Sequence, residues 1–339
     1  MGRHALPIAG LTVLGAILRF ATLDLQSFGH DEAVTVFEVL QPGLADTVAA
    51  VIEDKEKSPP LYYVLAWAWT EIFGLGEIGV RSLSALLGTL TIPVAYLAAR
   101  ELASRRAGLV AAALVALNPY LIWFSQEARA YSLFILLSAL TLLFLARALR
   151  RASGRDLALW AVTAAASFAT HYFTTFLVVP EALYLLYRLR SGRALAAVAV
   201  AAAGAAAVAP IALMQNSGRP GVLADTSLGE RVLRTVTSFS SGDQLALLPA
   251  ASGVHLVSAV VGLAAATLAG LGIRLAFARG RAQERRGALL AGALGSLAFL
   301  IPVVAALAGA DLVNPRSMVV AVTPLLIAAA IGFAAQRSG

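Results

Sequence analysis

The 339-residue sequence contains no cysteine, which excludes disulfides, thiolate metal sites and cysteine nucleophiles. Charge is also scarce. Only 13% of the residues are charged, about half the share of an ordinary soluble domain. There is no GxxxxGK[ST] loop, no HExxH and no GxSxG, so ATP-driven transport, zincin proteolysis and serine-hydrolase chemistry have no support here. What the chain has instead is apolar length. It is 59% hydrophobic, with a mean hydropathy of +0.80. Apolar runs of about 20 residues recur along it, the mark of a polytopic helical membrane protein. The net charge of +7 is explained by topology and calls for no nucleic-acid partner.

The apolar segments lie at about 5–23, 59–76, 80–99, 107–124, 130–146, 157–172, 173–187, 194–214, 252–273, 288–308 and 317–335. The first is too long for a signal-peptide core and lacks a small-x-small cleavage site, so it reads as a retained anchor. If all eleven crossed the membrane with Arg3 inside, the arginine clusters at 100–106, 147–155, 188–193 and 279–286 would fall outside. That violates the positive-inside rule at every later loop. Placing 59–76 on the outer surface reverses them all. Pro59-Pro60 open this segment and Tyr62, Tyr63, Trp67 and Trp69 give it the aromatic density of an interfacial helix. The expectation is therefore an all-α, membrane-embedded single domain over 1–339 with about ten spans. A long first outer loop, 24–79, would carry surface helices at 31–41 and 59–74. A second outer loop would run over 215–250, with Arg219, Asp225 and Asp243 among its polar residues.

Chemically versatile residues gather at the outer ends of the spans, whereas the inner loops carry mainly arginine. Gly29-His30-Asp31-Glu32-Ala33 follows the first span directly. A carboxylate pair there is costly to bury and well placed for chemistry at the membrane surface. Arg19, Lys57, Arg81, Glu127, Arg129, His171 and Arg316 complete the set. Carboxylates can deprotonate an acceptor hydroxyl, and arginines can hold a phosphate while charge develops on it. Together they suit transfer from a phosphate-activated donor, and outside the cytoplasm the natural donor is lipid-linked. Each residue also has a plainer reading. Asp31 is a good helix cap; Glu32 suits a first helical turn; Arg81, Arg129, His171 and Arg316 suit interfacial anchoring; Glu127 suits a pair with Arg129 or Arg81. Lys57 ends the charged run Glu53-Asp54-Lys55-Glu56-Lys57, which reads as a solvated turn, and Tyr62 is either an interface anchor or a sugar-stacking ring.

The ordered set resembles a known family: Asp31-Glu32, then Pro59-Pro60-Leu61-Tyr62-Tyr63, Gly79-Val80-Arg81-Ser82, Ser125-Gln126-Glu127-Ala128-Arg129 with Tyr131-Ser132-Leu133, Thr170-His171-Tyr172-Phe173, and Arg316 before Pro324. It is similar to bacterial members of glycosyltransferase family 39 of the GT-C superfamily, the group of the protein O-mannosyltransferases and the aminoarabinose transferases of lipid A. The resemblance implies inverting transfer of a sugar from a polyprenyl phosphate on the outer face of the cytoplasmic membrane. Asp31 would be the base, aided by Glu32. Arg81, Glu127, Arg129, His171, Arg316, Lys57 and Tyr62 would contact substrate. Partners would be the lipid-linked donor, membrane lipid and a protein, lipid or polysaccharide acceptor. No cofactor is demanded, although Asp31, Glu32 and Glu127 offer oxygen ligands for Mg²⁺ or Mn²⁺. Two departures stand out. Ser58 occupies the place of a lysine found in lipid A transferases, with Lys57 one residue earlier, and Glu127 lies about one turn from the position of a second acidic group. Many members are longer, so a chain short at the C-terminus is expected. The alternative from composition alone is a transporter or flippase for a lipid-linked anion, which in-span charges would favour; Glu181 is the acidic residue placed well inside a span.

Overall fold

The protein is described by a computed structural model covering residues 2–215, 226–242, 254–310 and 312–335. Among these residues the architecture is entirely helical. α1 (Gly2–Phe20) leads into the long loop that the sequence places on the outer side. This loop contains α2 (His30–Val34) with a following π turn to Val39, α3 (Leu44–Ala50) with a π turn to Lys55, and α4 (Leu61–Phe73). The bundle continues with α5 (Glu77–Leu102), α6 (Arg105–Leu117), α7 (Pro119–Ser125), α8 (Tyr131–Arg151), α9 (Gly154–Phe168), α10 (Thr175–Leu189) and α11 (Gly192–Met214). After it come α12 (Leu228–Ser241), α13 (Val254–Arg279), α14 (Ala282–Leu307) and, behind a 3₁₀ turn at Ser317–Ala321, α15 (Val322–Ala334).

Five of the described helical segments are long and apolar enough to cross a membrane: α5, α8, α11, α14 and Ser317–Ala334; the bent pair α6–α7 makes six. α9 and α10 have 15 residues each, about 22 Å of helix against a hydrocarbon core of about 30 Å. α4 has 13 residues, too few to cross, in keeping with a surface helix. The expected surface helix at 31–41 is shorter, and α3 with its π turn over 44–55 was not expected at all. In the second outer loop α12 packs its apolar face on α13 and α7; 216–225 and 243–250, with Arg219, Asp225 and Asp243, lie outside the described residues.

The break between α6 and α7 shapes the outer end of the bundle. Pro119 lacks an amide hydrogen and pushes Asn118 out of helical geometry (φ −67°, ψ 120°). Asn118 then caps α7, its Oδ1 accepting from the Leu121 amide at 2.9 Å, and the two helices bend by 60°. The carbonyls freed at the end of α6 are met by a buried cation. Arg19, at the last turn of α1, donates to Val115 O at 2.9 Å, Ala116 O at 3.1 Å and Gly15 O at 3.0 Å, and through Nε to Ser125 Oγ at 3.1 Å. A cation suits the negative end of a helix. Gly88 of α5 makes room for this knot, because a Cβ there would fall on Ser125 Oγ. Deeper in the bundle Glu181 accepts from Trp160 Nε1 at 2.8 Å and Thr141 Oγ1 at 3.3 Å. Both of its oxygens have partners, so the in-span carboxylate that a transport reading would favour has a packing role.

Candidate active site

A cavity of about 630 Å³ opens between the first outer loop, the α7–α8 connection and the lead-in to α15. Its size falls within the range of small-ligand sites. Asp31, Glu127, Arg316, Trp123 and Gln126 are among its walls.

Glu32 lines one side of the cavity with both carboxylate oxygens engaged. Gly29 is extended and starts α2, and its amide donates to Glu32 Oε2 at 3.0 Å, the backbone half of a capping box. Arg81, in the first turn of α5, clamps the same carboxylate through Nε at 2.8 Å and Nη2 at 2.6 Å. The Ala128 amide adds a fourth bond at 3.0 Å. Arg81 also donates to Leu23 O and Gln26 O at 2.7 Å each and to Ser27 O at 3.2 Å, with Phe28 under its guanidinium at 5.3 Å. All five N–H donors of this arginine are therefore engaged. Arg81, expected as a phosphate contact, lines the cavity, with its donors taken up by Glu32 and the loop. Arg81 latches the first outer loop to α5.

The segment 125–129 distributes its groups in different directions. Ser125 takes Arg19. Gln126 Nε2 donates to Leu18 O at 3.2 Å, Arg19 O at 3.3 Å and Thr22 Oγ1 at 2.6 Å, fastening the end of α1. Glu127 faces the cavity. The Ala128 amide meets Glu32. Arg129 forms a two-pronged ion pair with Glu56, its Nη2 at 2.9 Å from Glu56 Oε1 and its Nη1 on Oε2, and also donates to Asp31 O at 3.3 Å. Arg129 is thus tied to the outer loop and positions the backbone of Asp31; it does not line the cavity.

Asp31 is the half-exposed carboxylate of the site. Its Oδ2 lies 2.5 Å from Arg316 Nη1, which also reaches Glu127 Oε1 at 3.2 Å. Arg316 is held by its own amide on Asn314 Oδ1 at 3.0 Å and by Tyr120, whose hydroxyl donates to Pro315 O at 2.8 Å. Glu127 is buried, and its Oε2 has no hydrogen-bond partner among the described residues. Burial pushes its carboxyl up to about 7. Arg316 and Arg129 oppose this rise, and Asp31 and Glu32 add to it. Because the folded value lies above the unfolded one, the stability that comes from keeping Glu127 protonated is present below about pH 4.5. It is lost as pH rises through about 7. Thermal unfolding of wild type and Glu127→Gln across pH 4.5 to 8 should therefore diverge, the wild type losing ground as pH rises. Parallel curves would remove this assignment.

The other expected contacts lie elsewhere. Tyr62 is fully enclosed, with its hydroxyl 3.0 Å from Ser84 Oγ, so it cannot stack on a sugar in this cavity. His171 is buried against Phe134, with the rings parallel at 4.6 Å and Nδ1 accepting from the Phe173 amide at 3.2 Å. Its ring turns into the core. Lys57 is exposed, outside the cavity wall. Of the three carboxylates that could offer oxygen ligands to a metal, Glu32 is engaged by Arg81 and two backbone amides, and Arg316 sits between Asp31 and Glu127. Among the described residues no group of three or more His, Asp or Glu side chains is placed to hold a metal ion. The reading of Glu56 as part of a solvated turn is corrected as well. Its side chain is buried under Arg129, and nothing inside an alternating charge run marks one member for burial.

This helical bundle, with its polar cavity at one end closed by a carboxylate-bearing first loop, is similar in fold to known membrane glycosyltransferase structures. Among solved structures, the chain is similar to ArnT from Cupriavidus metallidurans bound to undecaprenyl phosphate, with a TM-score of 0.61 and 17% identity, covering 96% of this chain and 59% of that one. It is also similar to the oligosaccharyltransferase of Archaeoglobus fulgidus in the apo form, with a TM-score of 0.53 and 15% identity, covering 97% of this chain and 50% of that one. The same archaeal enzyme tethered to an acceptor peptide gives 0.51, at 14% identity, covering 97% of this chain and 49% of that one. The chain thus spans between half and three-fifths of the length of these proteins. No curated protein matches the sequence. At the level of family, residues 57–214 match the dolichyl-phosphate-mannose-protein mannosyltransferases. The resemblance to GT-C glycosyltransferases read from the sequence holds.

Proposed function

We propose that the protein transfers a sugar, with inversion, from a polyprenyl-phosphate donor to an acceptor hydroxyl on the outer face of the cytoplasmic membrane. The observation that carries this reading is the opposition of Asp31 and Arg316 at a cavity of ligand size. Asp31 takes the proton of the acceptor hydroxyl. That oxygen bonds to the anomeric carbon from the face opposite the phosphate, and the bond from that carbon to the phosphate oxygen breaks. The negative charge gathers on the lipid phosphate, where Arg316 exchanges its carboxylate partners for phosphate oxygens. Glu127, whose carboxyl is pushed up to about 7 and so is part protonated there, offers a hydrogen bond to the sugar or acceptor in its protonated form. The inside-to-outside charge asymmetry supports ten spans with α4 on the outer surface and this cavity outside. The match to a mannosyltransferase family makes a mannosyl donor the first to try.

The test uses purified protein in lipid, radiolabelled polyprenyl-phosphate mannose and crude envelope acceptors, with the donor sugar then varied. Label passing to an acceptor fraction is the expected result. Movement of intact donor across the bilayer, with no label transferred from any donor, would replace this reading with a transporter.

A further inference from the structure

The far end of α5 and α8 carries a second charged assembly that the transfer chemistry does not use. Glu101, in the last turn of α5, is buried, with a side chain only 1% exposed. An acidic side chain is unfavourable at a helix C-terminus, and four arginines gather round this one. Arg151 Nη2 lies 3.1 Å from its Oε1, Arg147 Nε 3.7 Å and Arg100 Nη2 3.9 Å, while Arg150 closes on Oε2. Arg147, Arg150 and Arg151 share one face of α8 by their i, i+3, i+4 spacing. Two aromatic rings support the group, Tyr96 at 5.8 Å from Arg100 and Phe144 at 5.8 Å from Arg147.

The charge does not balance. One carboxylate faces four guanidinium groups, leaving three positive charges. The C-termini of α5 and α8 offset about one more between them, so roughly two remain. No other carboxylate among the described residues pairs with these arginines. The side chains of Arg150 and Arg151 are about half exposed, and exposed Arg105 and Arg106 follow at the start of α6. Glu101 lies about 30 Å along α5 from Arg81, which puts the cluster at the opposite membrane surface, level with lipid phosphates.

We propose that this cluster binds the phosphate of an anionic lipid in the inner leaflet. Arg150 and Arg151 grip the phosphate oxygens, and Arg100 and Arg147 flank them. Glu101 holds the guanidinium groups together against their mutual repulsion, so the site is ordered before the lipid arrives. Planar guanidinium groups match phosphate geometry, and basic clusters at the inner surface attract anionic headgroups. The rings of Tyr96 and Phe144 belong to the packed core of the bundle and back the cluster from within.

The full chain in neutral detergent is titrated with phosphatidylglycerol, phosphatidylcholine or inorganic phosphate, and its Tm is read. Phosphatidylglycerol should raise Tm, whereas the other two should not. Arg150→Gln with Arg151→Gln should cut the rise at least twofold. Arg188→Gln with Arg193→Gln, two exposed arginines of another inner loop, should leave it intact. Equal rises with phosphatidylcholine or phosphate, a full rise in the first double variant, or an equal loss in the second would overturn the proposal. Should the first variant not fold, hydrogen exchange of the wild type decides. Protection by phosphatidylglycerol at 97–106 and 145–153 supports the site, and its absence there refutes it. Neither readout depends on glycosyl transfer.

Discussion

Asp31→Asn should abolish sugar transfer while leaving the protein folded. General-base catalysis contributes about 10²- to 10⁴-fold, and an amide oxygen cannot accept the acceptor's proton, so kcat should fall by about that factor. The variant keeps the shape of the side chain and an oxygen that Arg316 can still reach. Asp31 is about half exposed, and α2 starts on the Gly29–Glu32 contact with no help from it. Tm should therefore hold, and the KM for the donor should move far less than kcat. Turnover in a labelled-donor assay, measured beside thermal unfolding, separates the outcomes. Near-normal turnover by a folded Asp31→Asn protein would remove Asp31 from the reaction.

Arg81→Met should have the largest effect on stability. The side chain is 5% exposed and its partner Glu32 is 7% exposed. Breaking a buried pair from one side costs about 3–5 kcal/mol, because the remaining charge keeps its desolvation penalty. Here the substitution also strips Leu23, Gln26 and Ser27 of a donor to their carbonyls. Lysine should not rescue it, since a single ammonium cannot reach five acceptors in fork geometry. A double-mutant cycle with Glu32→Gln should show strong coupling. If Arg81 held donor phosphate instead, Arg81→Met would keep its Tm and raise the KM for the donor, and that result would return it to the substrate site.

These two residues also show how far the sequence could be read. Asp31 stood out because a carboxylate just past an apolar run is rarely explained by packing, and its place at the cavity follows from that. The helical bundle was legible for a similar reason, since hydropathy is a property of local sequence. Arg81 was noticed by the same logic, yet its part in latching the first loop was not legible. What fixes that role is a partner 49 positions away, and sequence position says nothing of such a partner. Glu56 and Arg129 are separated by 73 positions, and the carbonyls of α6 that hold Arg19 by 96 and 97. Hydropathy marks which charges are out of place but not which of them meet. α3 escaped notice because its seven residues mix polar and apolar types without a clean period, and packing in the outer loop decides its form.

The separation of Asp31 from Arg316 has a bearing on biosynthesis. They are 285 residues apart, and at about 5–20 residues per second that is roughly 15 to 60 s of translation. Through that interval the loop that carries Asp31 has been made and the arginine does not yet exist. On the proposed reading, a nascent chain carries its base early but acquires the cation for the departing phosphate only when the segment leading into the last described helix has been threaded. Sugar transfer, on that reading, therefore waits for the last part of the described bundle to be made.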